Sequence, residues 1–533
     1  MHLLGLSRIA GEPVAPSGHC FRAVDLSADA YLAPEFHSAT PEQARHACEV
    51  AAGAAGSVAD TPALRRAEFL RALADRLSDS EKELVERADL ETALGADCLR
   101  RELAHAAHQL TLFAEELEDG SWLDARVEIA DPERRTGPRP DHRSMRVPLG
   151  PVAVFASAAY PFAHSVLGSD VAGALAAGCP VVVKAHPAHP GTAALLAGIV
   201  SHELAVARLP AGAFSLLFDD GNGAGHELVT HPAMRGVAFC GTRKGGRAIM
   251  DLAAARAAPI PVYAEMGAAN PVFLLPGALR FRAQALAEEL HAAFNHRAGQ
   301  AASRPGLFFV TAGEDADDFL DLLTKAVRAT PAAPLMSRPA HDNYLALIGA
   351  RAQDSELRVL AAGPRQGAGP WMVAPAVFLV DAPVFRARPD LADEVSGPSV
   401  LVVQCVDKED MLESARAIPG AITAGVYAEA LESGFASKLL RVLRERAGRV
   451  VYNGHAEGLE ASRAIVHGGP YPATSDGRES CTGATSMLRF TRRVCFQNYP
   501  DAMLPEELRD ENPLGIPRLV DGLYSLSPVE RKR

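Results

Sequence analysis

Along the first hundred residues, apolar positions recur at spacings of three and four. The stretch ALRRAEFLRALADRLSDSEKELVERADLE carries that spacing and predicts amphipathic helices. Just before it, TPEQARHACEVAAGAAG opens with Thr40 as N-cap, Pro41 at the first helical position and Gln43 at the third, a capping-box arrangement. Residues 40 to about 118 are therefore predicted to be helical. The period then changes. DARVEIADPERRTGPRPDHRSMRVPLG alternates briefly and fills with Pro, Arg and Asp, which predicts an exposed hairpin or arm. From 151 onward come short apolar runs, VAVFA, PVVVKA, FSLLF and GVAFC, with SVLGSDVAGALAAG as a helix of small residues between the first two. Apolar strands alternating with helices predict a parallel sheet. A second α/β block runs from about 264 to 460, with NPVFLL, GLFFVT, PAVFLV and SVLVVQCV as strands. The turn-rich remainder has one alternating stretch and reads as an arm and a wrap.

Composition narrows this picture. At 533 residues the chain exceeds one core, so two or three domains are expected. A formal net charge of -12, with no basic run, argues against nucleic acid or an anionic membrane as partner. None of the eight cysteines forms a C-x-x-C pair, so neither a zinc ribbon nor a disulfide framework is expected. The longest apolar run, VAGALAAGCPVVV, is broken by Gly and Pro, and the N-terminus has no long apolar h-region. A soluble cytoplasmic protein is expected.

Ligands of parallel sheets bind beyond the carboxyl ends of the strands. Two features lie at such ends. Lys184 closes an otherwise apolar strand, where an ammonium needs a partner; it either enters a site or snorkels to solvent. FCGTRKGG follows a strand and opens a helix, so Gly241, Thr242 and Gly246 either cradle a phosphate at the helix N-terminus or form only a tight turn. Glu265, before a Gly turn, suits a general base whose pKa burial raises, or a salt-bridged carboxylate. Asp393 and Glu394 either hold a ribose diol or are solvated. His186 and His189 stand three apart between prolines with no third ligand nearby, so no metal site is expected.

In this order and spacing, the motifs RVPLGPVAVF, ALAAGCPVVVKAHPAHPGT, FCGTRKGGRA, EMGAANPVFLLP, HGGPYPAT and LPEELRDENPLGIPRLVDG resemble the aldehyde dehydrogenase superfamily, in particular its NADP-linked 2-oxoglutarate-semialdehyde (2,5-dioxovalerate) dehydrogenases. The likeness runs from about residue 40 to 525. It implies an α/β fold with a Rossmann-like cofactor domain (1–123 and 148–263), a catalytic domain (264–460), an oligomerisation arm (124–147 and 480–500) and a C-terminal wrap (501–533), assembled as a homodimer or homotetramer. It implies NADP or NAD as cofactor and a small aldehyde as partner. Lys184 and His186 would lie by the adenosine ribose and Gly241, Thr242 and Gly246 by the pyrophosphate. Glu394 would hold the nicotinamide ribose, with Ser396 beside the nicotinamide, and Glu265 would be the general base. Pro187 stands where some NAD-linked members carry a ribose-binding glutamate, a pattern resembling the NADP members. Asp219 and Asp220 on the adenosine side weigh against a 2′-phosphate.

Three positions depart from the family pattern. GQ-x-C-T-x-P-G reads here Gly299-Gln300-Ala301-Ala302-Ser303-Arg304-Pro305-Gly306, with Ala302 at the nucleophile position. A-S-N-F-P reads Ser157-Ala158-Ala159-Tyr160-Pro161, so Ala159 replaces the oxyanion asparagine. Ser396 replaces an aromatic. A methyl group cannot attack a carbonyl, and one lost oxyanion donor costs about 10²–10³ in rate. Three readings follow: a divergent member whose thiol route is lost or replaced, a semialdehyde dehydrogenase inactivated by a Cys→Ala change, or a non-catalytic scaffold. Cys240, before the Gly turn, would sit on the cofactor side.

Overall fold

The computed structural model describes residues 3–365, 367, 369–456 and 460–530. The predicted helical region folds as Pro41–Ala59, Ala63–Asp79, Glu81–Thr92 and Ala96–Asp119. Thr40 caps the first helix as expected, its hydroxyl accepting from the Gln43 amide while the Gln43 side chain accepts from the Thr40 amide. The apolar faces of these helices, with Leu70, Leu73, Leu77 and Phe113, share one core with the strands that follow.

The first sheet has the strand order Val262–Glu265, Gly236–Cys240, Val152–Phe155, Val181–Lys184, Phe214–Leu217, Arg8–Ile9, Glu12–Pro13. Its first five strands are parallel. The direction of winding reverses between Val152–Phe155 and Gly236–Cys240, where the chain opens the crevice that α/β sheets use for ligands. The small-residue helix is shorter than its apolar run suggested. It spans Ser169–Ala177, because Gly168 is extended and packs against the Ala163–His164 backbone.

The second sheet runs Arg358–Ala362, Ala376–Asp381, Ser399–Cys405, Leu307–Thr311, Pro271–Leu274, Ala421–Tyr427, Ala447–Tyr452 and is parallel except for its first strand. A third sheet forms the arm: Thr491–Gln497, His142–Pro148, Ala125–Glu128, Arg518–Val520, Leu523–Ser525. Its last two strands come from the segment expected only to wrap, so the tail extends the arm. Arg143, fully buried in this sheet, is satisfied by Asp141, Asp510 and the Leu508 carbonyl. Among the described residues no helix is long and apolar enough to cross a membrane.

Candidate functional site

The site is assembled from strand ends and the turns behind them. Lys184 is the last residue of Val181–Lys184, and its Nζ donates to the Asp219 carbonyl at 2.6 Å. Burial lowers its pKa, against the opposing charges of Asp219 and Asp220. The strand's apolar company explains the half-buried stem; the ammonium reaches the loop after Phe214–Leu217. Of those two aspartates, Asp219 is buried and Asp220 exposed. Asp219 accepts from the Gly221 and Ala224 amides at 2.8 and 3.1 Å, and Asp220 is engaged by His19 and by the Ser38 hydroxyl. Asp219 is thus engaged by its own loop, while Asp220, paired with His19 and Ser38 from elsewhere in the chain, stays exposed.

His186 and His189 each bond to the chain's own backbone. The His186 Nδ1 accepts from the Ala188 amide at 3.1 Å, and the His189 Nε2 donates to the Ser157 carbonyl at 2.8 Å. Burial, then the neighbouring His189 and Lys184, holds the His186 pKa well below its usual value.

The turn after Gly236–Cys240 fits a phosphate-bearing cofactor. Gly241 to Lys244 are exposed, and Thr242 caps the helix Arg243–Ala254 with its hydroxyl accepting from the Gly245 amide at 3.2 Å. A Cβ at Gly241 would lie 2.6 Å from the Phe239 ring, and one at Gly246 would lie 2.5 Å from Met266. The glycines therefore let the strand and helix close up and leave the helix N-terminus bare for an anion. Asp393 ties this turn to the opposite domain through Arg243, at 2.5 Å.

Glu394 faces the same place. Gly267, at φ +76, has no room for a Cβ because the Glu394 carboxylate occupies it. Burial pushes the Glu394 carboxyl up to about 7, with Arg304 pulling it down and the charge of Glu265 pushing it further up. Ser396 is half-buried one turn on, and the Gly397 amide donates to the Gly299 carbonyl at 3.0 Å. The segment 394–397 is thereby pinned to the 299–302 loop.

In that loop Ala302 is half-buried. Its amide donates to the Tyr160 hydroxyl at 3.1 Å and its carbonyl accepts from Asn270 at 2.8 Å. Ala159 offers only a methyl group, and its carbonyl accepts from Arg297. Sequence reasoning missed the support beneath. Arg297 pairs with Glu102 at 2.7 Å, both buried, and lies 4.5 Å over the Tyr160 ring. Glu102 also accepts from the Phe162 and Ala163 amides.

Glu265 closes the strand Val262–Glu265 and is 4% exposed. Its expected raised pKa is corrected here: the carboxyl lies at about 2. Burial alone would raise it, but His467, at 3.3 Å from Oε1, together with His164 and a hydrogen bond from the Cys481 thiol, stabilises the charged form. The Cys481 Sγ lies 2.5 Å from Oε2. The thiol itself is pushed well above 9 by burial and by that carboxylate. Cys240, paired in register with Glu265, is pushed up for the same two reasons. His467 opens the HGGPYPAT motif, but no local signal tied it or Cys481 to Glu265; they lie 202 and 216 residues from it along the chain.

Known proteins are similar to this chain in sequence and in fold. Residues 21–490 match the model of the aldehyde dehydrogenase family. The chain is 40% identical over 523 residues to alpha-ketoglutaric semialdehyde dehydrogenase 2 of Azospirillum brasilense, covering 98% of this chain and 99% of that one. It is 36% identical over 528 residues to alpha-ketoglutaric semialdehyde dehydrogenase of Acinetobacter baylyi, with the same coverage. Among solved structures it resembles lactaldehyde dehydrogenase from Escherichia coli (TM-score 0.79, 20% identity, 92% of this chain and 98% of that one). It also resembles a Thermus 1-pyrroline-5-carboxylate dehydrogenase with bound NAD (TM-score 0.78, 22% identity, 92% of each chain). With strand ends, glycine turn and buried glutamate arranged on this fold, the chain belongs to the aldehyde dehydrogenase family.

Proposed function

We propose that this chain binds NADP or NAD and an aldehyde of the 2-oxoglutarate-semialdehyde type, and that the covalent thiol route at position 302 is lost or replaced. The observation that carries this reading is a base kept beside a missing nucleophile: Glu265 is buried and ionised, while Ala302 presents a methyl group on the loop where its relatives' family pattern has a thiol. In this reading the exposed turn Gly241–Thr242 and Gly246 receive the pyrophosphate, Lys184 and His186 border the adenosine ribose, and Glu394 with Ser396 border the nicotinamide ribose. The cofactor, when bound, accepts a hydride. Glu265 holds a water by its carboxylate and takes its proton as the water adds to the aldehyde carbonyl. Tyr160 and Asn270 fix the Ala302 backbone, and the Arg297–Glu102 pair holds the Ala159 turn. We further infer a cytoplasmic homodimer or homotetramer built through the arm sheet.

The test is twofold. Calorimetric titration with NADP and NAD measures cofactor binding directly, and absence of both kinds of binding would leave a scaffold. Reduced-nicotinamide formation from 2-oxoglutarate semialdehyde is then followed for the protein and for Ala302→Cys. Robust turnover by Ala302→Cys alone would mark an inactivated dehydrogenase and overturn the divergent reading.

A further inference from the structure

Three residues from three separate segments meet at the end of the Val262–Glu265 strand. Glu265, His467 and Cys481 are each buried, and one ligand atom from each, carboxylate oxygen, Nε2 and Sγ, lies within 4.8 Å of the other two. Their backbones are locked together: the Met266 amide donates to the Ala473 carbonyl, and the Cys481 amide to the His467 carbonyl. A second observation points the same way. His164 is 4% exposed, has neither ring nitrogen hydrogen-bonded, and stacks on His467 with centroids 6.5 Å apart.

We propose that Glu265, His467 and Cys481 form a binding site for one borderline divalent cation of the zinc class. Oxygen, nitrogen and sulfur from one residue each is a donor set suited to zinc, which takes His nitrogen at about 2.0–2.1 Å and Cys sulfur at about 2.3 Å. Three protein ligands leave a fourth position for water or His164. The 2.5 Å Sγ–Oε2 contact is a thiol hydrogen bond. On binding, the S–H proton leaves to solvent and the sulfur turns to the cation as thiolate. Through Tyr160, whose hydroxyl accepts from the Ala302 amide and whose ring lies 5.3 Å from that of His164, the cluster neighbours the 302 loop. A bound cation supplies positive charge for a carbonyl oxygen and holds a water as nucleophile. In the loaded protein Glu265 serves as a ligand and the cation-held water as nucleophile, so this state is an alternative to the one in which Glu265 acts as base. The site stands on geometry alone, so its test reads binding and not turnover. If it fails, the cofactor reading is untouched, and the converse also holds.

The full-length protein is stripped with chelator, incubated with zinc(II), desalted and assayed for metal by elemental analysis. The expected result is about one zinc retained per chain. Cys481→Ser and His467→Gln should each lose it, with thermal melts confirming that both variants fold. No retention by the unaltered protein overturns the proposal, and so does retention that survives both substitutions, since the cation would then sit elsewhere. If the variants do not fold, cobalt(II) is added to the unaltered protein. A thiolate-to-cobalt charge-transfer band in the near ultraviolet supports the site, and cobalt bound without that band overturns it.

Discussion

In the reading proposed above, Ala302 sets a methyl group where the family resemblance implies a sulfur, and Ala159 another where it implies an amide. The two losses are not independent. A thiolate restored at 302 would form an oxyanion that still lacks its side-chain donor. Ala302→Cys alone is therefore expected to turn over aldehyde about 10²–10³-fold more slowly than Ala302→Cys with Ala159→Asn, measured as the initial rate of reduced-nicotinamide formation. The titration of Glu394 gives a second prediction. Its carboxyl is raised from 4.5 to about 7, so the folded chain holds a proton that the unfolded chain releases. That contribution to stability is fully present below about pH 4.5 and is lost as pH rises through about 7. Glu394→Gln should flatten the dependence of melting temperature on pH across that window. Glu265 has the opposite sign: lowered to about 2, it contributes above pH 4.5 and loses that contribution as pH falls toward 2. The glycine turn was legible in the sequence as a tight strand-to-helix turn, because Gly241 and Thr242 carry that geometry in a local motif. His467 and Cys481 were not, because their role exists only once distant segments fold against Glu265. The sign of the Glu265 shift was missed for the same reason.

At the scale of elements, short apolar runs located the strands well, since strands buried on both faces leave little room for polar residues. Boundaries were less legible. Gly168 delayed the start of the small-residue helix through a backbone approach that no local pattern records. The Arg297–Glu102 pair is a bond between elements, joining the helix Ala96–Asp119 to the loop before Ala302. Arg297 and Ala298 sit at φ 54 and 51, conformations that such anchoring helps to hold. Glu102→Ala would leave a guanidinium buried without its carboxylate and two backbone amides without their acceptor. We expect a loss of about 3–5 kcal/mol, read from denaturant unfolding. Glu102→Gln keeps an acceptor for the amides and should lose less.

At the scale of the molecule, the tail matters more than its turn-rich composition suggested. Leu523, Tyr524 and Leu526 are 75%, 82% and 64% exposed at the edge of the arm sheet. An open edge carrying large apolar side chains is a surface that a second copy can cover. Tyr524→Asp is expected to shift the sedimentation coefficient toward the monomer; an unchanged coefficient would place the interface elsewhere.

The Gly241 amide donates to the Glu265 carbonyl at 3.0 Å, and Cys240 and Glu265 are partners in register. The glycine turn and the buried carboxylate are thus neighbours on one ladder. Under the proposed cofactor reading we expect the two to be coupled: neutralising Glu265 would alter the affinity of the glycine turn for an anion by some factor, and the anion would alter the protonation of Glu265 by the same factor. In the reading proposed above, the sulfur of the family's oxidation chemistry is lost here, while one ladder still joins the glycine turn to Glu265.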